Sequence, residues 1–278
     1  MSVSQPQPEG VAGTAFLIAC FRMWGAAERP ALYDDPVTPY LITPDNEAAA
    51  RTAADTFPPA PHMVRLRTRY FDDEVHAAID RGVRQVVLMG AGLDTRAARI
   101  GGNRVRYIEI DNEVTLAYKW SALSCRGIEP DVRYVPGDYT TDDLDPMLRE
   151  GGFDFLAPAL FLWEGNTAYL TKEAMETVLE KMLGTTRNAT VALDYMGEQV
   201  IRRTTGHTEL DAYIDHLEQK GAPWVCGFDD ITPLAERLGC EITSQETAAA
   251  LWERWVPGSA VPSPLFSHYR VATLKRRA

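Results

Sequence analysis

From Arg84 to Met196 short apolar runs alternate with amphipathic ones, and this rhythm limits the possible folds more than any other feature of the chain. RQVVLMG, VRYIEID, VRYVPGD, PALFLWEG and ATVALDYM read as strands. A Gly-rich turn and a helix follow the first strand, and EVTLAYKWSALSC, DDLDPMLREGG and TKEAMETVLEKMLG read as helices after the next three. The amphipathic helix YFDDEVHAAIDRG, stopped by Gly82, leads into the series. Strands separated by helices predict an α/β fold with a mostly parallel, doubly wound sheet and right-handed crossovers. In such sheets ligands sit beyond the carboxyl ends of the strands.

Two regions depart from the rhythm. Residues 1–60 are helical and punctuated by Pro, with TAFLIACFRMW as a helix and ALYDDPVTPYLI as a turn plus a short second helix, which predicts an N-terminal helical cap. The polar stretch from Gly197 to Asp230, containing HTELDAYIDHLEQKGAPW, reads as a lid inserted near the site. ITPLAERLGCEIT then reads as helix and strand, and HYRVATLKR as a last, antiparallel strand at the sheet edge. The expected layout is one catalytic domain over 61–278 with the cap before it and the lid at about 197–230. No repeat and no low-complexity tract is visible beyond the first ten residues.

The stretch VVLMGAGLDTRAARI raises the functional question, because a strand runs directly into Gly90-Ala91-Gly92. A dinucleotide-binding turn would want a third Gly where this chain has Thr95, which disfavours NAD. The next strands each close on an acid, with Asp111 after YIEI, Asp138 after VPG and Glu164 after FLW. A carboxylate cluster repels a diphosphate and suits a ligand rich in hydroxyl and amino donors with positive charge. S-adenosylmethionine has a sulfonium, an ammonium, a ribose diol and an adenine amine. Asp111 is placed to accept both ribose hydroxyls, Asp138 with the backbone of Tyr139 to accept from the adenine amine, and the Gly turn to let backbone approach the methionyl part. A lone acid at a strand end is otherwise a helix cap or a solvated terminus, and three in register outweigh that reading.

Composition excludes several other classes. The 278 residues, 45% of them apolar, suffice for a packed core, and a net charge of -11 opposes a phosphate backbone and hence nucleic acid. Cys20, Cys125, Cys226 and Cys240 form no metal-binding spacing, so no metal is expected and the thiols are expected to be reduced. The opening MSVSQPQPEG has no secretory pattern and TAFLIACF is too short to span a bilayer, which predicts a cytoplasmic protein with no membrane partner.

RTRYFDDEV, VVLMGAGLDTRAARI, YIEIDNE, VPGDY and FLWEGNTAYLT together resemble the bacterial branch of the leucine carboxyl methyltransferase family, from about Thr14 to Met196 and again at HYRVATLKR. The resemblance implies a Rossmann-like class I methyltransferase fold and S-adenosylmethionine-dependent O-methylation. It implies cofactor contacts at Gly90, Gly92, Asp111, Asp138, Tyr139 and Glu164, and a substrate-facing catalytic Tyr169. An Arg before the first strand holds the cofactor carboxylate in related enzymes; Arg65, Arg67 and Arg69 compete for that role, and Arg69 is the assignment carried forward. Asn166 and Thr167 stand where many relatives have apolar residues, beside the expected acceptor, so substrate identity does not transfer from the phosphatase-methylating members.

The expected substrate is a small metabolite. A carboxylate, with a reference pKa of about 4, is already nucleophilic at neutral pH and needs no base, but its charge calls for Tyr169 or a cation such as Arg202 or Arg203. A phenol or alcohol of a natural product would call for a base such as His207, His216 or Asp194. A cofactor-binding protein of this fold that promotes a reaction other than methylation is the further alternative. His76 and Trp163 read as packing or surface residues, although Trp163 next to Glu164 could stack on a sulfonium.

Overall fold

A computed structural model describes residues 11–219 and 221–277, which divide after Phe153 into two compact units. The opening MSVSQPQPEG, where no targeting segment is expected, lies outside the described residues.

The first unit begins with helices α1 (Gly13–Ala27), α2 (Pro44–Thr56) and α3 (Pro59–Asp80). Thr43 and Asn46 start α2 as a reciprocal capping box with Pro44 in the first turn, which satisfies donors the helix cannot pair internally. α3 buries Val64, Arg65, Thr68, Phe71, Asp72 and Val75 at helical spacing, so part of its inward face is charged. Strand β1 (Gln85–Met89) is buried at all five positions, as a central parallel strand requires. It pairs in parallel with β2 (Arg106–Asp111), between which lies the short α4 (Arg96–Arg99); α5 (Glu113–Ser124), β3 (Val132–Pro136) and α6 (Leu144–Glu150) follow, and β2 pairs in parallel with β3.

The helix expected after the Gly turn is thus a single turn. Gly101 and Gly102, at φ 94° and 50°, end it in a conformation other residues rarely adopt. Arg96 and Arg99 turn inward to buried carboxylates, which leaves no amphipathic face to extend.

The second unit contains β4 (Ala159–Trp163), α7 (Lys172–Gly184), β5 (Ala189–Met196), α8 (Glu198–Ile201), α9 (Thr208–Gln219), α10 (Thr232–Arg237), β6 (Cys240–Thr247), α11 (Ala248–Trp255) and β7 (Tyr269–Arg276). β4 and β5 are parallel, and β7 runs antiparallel between β5 and β6. HYRVATLKR is therefore an interior strand, contrary to expectation, and the edge belongs to β6. The burial explains the exchange: Val271 to Leu274 are all buried, whereas β6 is half-exposed along CEITSQET. An interior strand is apolar on both faces and an edge strand tolerates polar residues. No helix among the described residues is long and apolar enough to cross a membrane.

Candidate functional site

In the first unit the parallel register sets Met89 beside Ile110 and Asp111 beside Pro136, so the ends of β1, β2 and β3 form one rim. The amides of Gly90 and Ala91 both donate to Ile110 O, at 2.9 and 3.0 Å, and Gly137 N donates to Asp111 O at 3.0 Å. These bonds fold the Gly turn back over the end of β2. Gly90 and Gly92 have φ of 67° and 49°, the left-handed region where a Cβ is costly.

Asp111 is half-buried, and its carboxylate is oriented from two sides. Gly92 N donates to Oδ2 at 2.7 Å, and Asn112 donates to Oδ1 from its backbone at 2.7 Å and from Nδ2 at 2.9 Å. Asn112 also caps α5 by accepting from Thr115 N at 2.9 Å, so the helix start fixes the residue that fixes the acid. The structure thus brings Gly90, Gly92 and Asp111 together. Asp138 lies on the neighbouring strand end, exposed, with Oδ1 accepting from Thr140 N at 2.9 Å and Thr140 Oγ1 at 2.5 Å, while half-buried Tyr139 follows it.

A buried charge network stands behind the turn. Arg96 Nε donates to Asp72 Oδ1 at 2.7 Å and its Nη1 pairs with Asp94, while Arg99 donates to both oxygens of Asp72, at 2.9 and 3.1 Å. Burial would raise the Asp94 carboxyl, but Arg96, Arg22 and Lys119 prevail and hold it at about 2. Beneath the rim, Lys119 Nζ lies 2.5 Å from Glu109 Oε2 in a fully buried pair, and Glu109 Oε1 has no hydrogen-bond partner among the described residues. Burial pushes Glu109 up to about 7, against the pull of Lys119.

The three arginines of α3 separate. Arg65 is buried and pairs with Glu28 Oε2 at 3.0 Å and with Pro30 O. Arg69 donates to Asp73 and to Leu32 O and lines a cleft of about 580 Å³ between residues 32–37, α3 and the end of α4. Neither the Gly turn nor Asp111 is among the residues that line that cleft. Arg67 is half-buried on α3, and His76 is exposed.

In the second unit Glu164 follows β4 and is half-buried, and Trp163 is fully buried core. Asp194 near the end of β5 organises the loop after β4: Gly165 N donates to its Oδ1 at 2.6 Å, Tyr269 Oη to its Oδ2, and Thr167 Oγ1 to its carbonyl at 2.5 Å. With both oxygens engaged and 3% exposure, Asp194 is a structural acceptor and is poorly suited to act as a base. Tyr169 ends the short turn Thr167–Tyr169 with 42% of its surface exposed.

The stretch from Gly197 to Asp230 is anchored through main chain. Val225 N and Cys226 N both donate to Ala168 O, at 2.7 and 3.2 Å, and Phe228 N donates to Met196 O at 2.8 Å. Arg202 pairs with Glu198, and Arg203 pairs with Asp215 and Glu218. His207 Nδ1 is 3.9 Å from Glu209, and His216 is half-buried in the last turn of α9. Among the described residues no cluster of His, Cys, Asp or Glu is placed to hold a metal ion.

Sequence reasoning passed over Asn112, Tyr269 and the residues behind the turn. Asn112 carried a readable signal as a cap at the start of EVTLAYKWSALSC. Tyr269, 75 positions from Asp194, carried none.

A family model described as leucine carboxyl methyltransferase matches residues 15–183. The chain is 38% identical over 188 residues to a Parafrankia protein named "Putative S-adenosyl-L-methionine-dependent methyltransferase", covering 61% of this chain and 58% of that one. It spans less than two thirds of the length of the curated relatives it matches first. Two crystal structures share its fold. One, titled a putative methyltransferase, is from Thermobifida fusca, with TM-score 0.65, 15% identity and full coverage of both chains. The other is a DUF574 family protein from Streptomyces avermitilis, with TM-score 0.63, 16% identity and coverage of 95% and 97%. The fold is that of Rossmann-like class I methyltransferases.

Proposed function

The chain belongs to the leucine carboxyl methyltransferase family, and from that premise we propose that it is an S-adenosylmethionine-dependent O-methyltransferase of a small metabolite, with a carboxylate as acceptor and a methyl ester as product. The observation that carries the reading is the oriented Asp111 carboxylate beside the left-handed Gly turn.

The residues fit the cofactor. Asp111 is acceptor-only: Oδ1 already accepts two bonds from Asn112, and Oδ2 accepts one from Gly92 N and keeps a lone pair for a ribose hydroxyl. Asp138 with Tyr139 suits the adenine amine. The density of acids favours a cationic ligand over a diphosphate. When bound, S-adenosylmethionine supplies an electrophilic methyl group. The chain's part is alignment and exclusion of water.

Two features favour a carboxylate acceptor. It needs no general base, and Asp194, one of the base candidates, has both oxygens occupied. Arg202 and Arg203 are neutralised by Glu198, Asp215 and Glu218, which leaves the exposed Tyr169 hydroxyl as the group that orients the acceptor.

The test uses the full chain with methyl-labelled donor and a panel of carboxylic acids and phenols. The expected result is an alkali-labile labelled ester, release of S-adenosylhomocysteine, and turnover nearly flat from about pH 6 to 9, since no group in the step titrates there. An alkali-stable product whose rate rises through about pH 6.5 would show a hydroxyl acceptor with a His base. Cofactor binding without S-adenosylhomocysteine release on any acceptor would favour a non-methylating role.

A further inference from the structure

The N-terminal segment is bonded to the turn that faces the cofactor. Arg22 of α1 is 4% exposed, and its Nη2 donates to Leu93 O, one residue past Gly92. Its Nε donates to Asp35 Oδ2 at 3.0 Å and to Thr38 Oγ1 at 3.2 Å. Asp35 returns to the same turn, because its Oδ2 accepts from Thr95 Oγ1 at 2.8 Å and lies 3.6 Å from Arg99 Nε. Asp35 Oδ1 meanwhile accepts from the amides of Val37 and Thr38, at 3.2 and 3.0 Å, which fixes the carboxylate to its own loop. The Leu93 carbonyl and the Thr95 hydroxyl are thus both held by residues 60 or more positions earlier.

Apolar packing reinforces the bonds. Leu93 belongs to one buried cluster with Phe16, Ala19, Val37, Leu41 and Leu123. A Cβ built on Gly92 would meet the Ala15 Cβ at 3.8 Å, so α1 passes directly over the turn. An Arg spanning a carboxylate and a carbonyl is a rigid fork, which suits it to fixing backbone position.

We propose that Arg22 and Asp35 are positioning residues for the cofactor: they hold the Gly90–Thr95 turn in the conformation in which Gly92 N orients the Asp111 carboxylate. The inference rests on the cofactor reading given above. The cap is then part of the cofactor half-site, and cofactor affinity depends on residues that need not touch the cofactor.

The experiment measures S-adenosylmethionine binding by calorimetry, together with thermal unfolding, for the full chain and three variants. R22K keeps a charge near Asp35 but an ammonium cannot span Asp35, Thr38 and Leu93 O together, and D35N keeps the shape but loses the charge. F21L is the control. Phe21 is 1% exposed in the separate cap cluster with Cys20, Ala50 and Val64, so F21L loosens the cap without touching the turn. Expected are at least tenfold weaker cofactor binding in R22K and D35N, on the scale of a lost charge-assisted hydrogen bond, and unchanged binding in F21L at an equal or larger drop in Tm. Unchanged binding in folded R22K and D35N overturns the inference, as does equal weakening in F21L, which would make the effect one of overall stability. If the unsubstituted protein binds no S-adenosylmethionine, the cofactor reading itself fails.

Discussion

Replacing Asp111 with Ala separates its structural from its ligand-binding role. In the structure the carboxylate accepts three hydrogen bonds, from Gly92 N, Asn112 N and Asn112 Nδ2. The site is half-buried, so water replaces most of what is lost. At about 0.5–1.5 kcal/mol for a bond that solvent can substitute, the expected stability loss is about 1–2 kcal/mol, or a few degrees in Tm. The ribose would lose a charged acceptor, and one such bond contributes on the order of 1.5–3 kcal/mol, so cofactor affinity should fall roughly 10- to 150-fold. Calorimetric titration with S-adenosylmethionine, beside a thermal melt of the same preparation, reads both numbers. A folded variant with wild-type affinity would refute the reasoning and reduce Asp111 to the acceptor that positions Asn112 and the Gly turn.

Other outcomes follow from the same geometry. Glu109→Gln should flatten one limb of the pH–stability curve: a carboxyl raised to about 7 in the folded chain binds a proton the unfolded chain releases near 4.5, so its stabilising effect is complete below about 4.5 and is lost as pH rises to 7. Urea midpoints of both proteins across pH 4–8 test it, and an unchanged difference between them would exclude Glu109 as the titrating group. Asp94, held at about 2, has the opposite sign, contributing above about pH 4 and failing as pH falls toward 2; Asp94→Asn should therefore shrink the acid limb when the urea titration is extended down to about pH 2. Tyr269→Phe removes the hydroxyl that donates to buried Asp194 and should cost about 1–3 kcal/mol by chemical denaturation, with no loss if a water takes its place. Tyr169→Phe at an exposed position should change stability by less than about 0.5 kcal/mol and leave cofactor binding intact, while turnover of the acceptor falls.

The parts of the molecule that were legible in the sequence are those written in local pattern. VVLM and ALFLW announce buried strands, Gly82 and Gly92 mark turns at positive φ, and Asp111 follows directly from where its strand stops. What was hidden depends on pairs distant along the chain. Arg22 and Asp35 looked like parts of a Pro-punctuated arm, and nothing in a fifteen-residue window links them to Leu93 or Thr95. The short α4 was missed for a related reason: Arg96 and Arg99 carry good helix propensity, and burial against Asp72 overrides it. The edge strand was misassigned although VATL and CEITSQET differ in polarity, because strand order in a sheet is set by pairing between segments distant along the chain.

The main-chain strap at Val225 to Phe228 leaves the exposed positions of the segment before it open to change. Its bonds to Ala168 and Met196 come from the amides of Val225, Cys226 and Phe228, and an amide is present whatever side chain accompanies it, Pro excepted. Exposed residues between Arg203 and Ala222 can therefore be varied while the main-chain seat beside Tyr169 is retained, provided the buried Leu210 and Ile214 are kept. On the methyltransferase reading proposed above, such changes are a way to vary acceptor preference without disturbing the anchoring amides, with Pro barred at 225, 226 and 228.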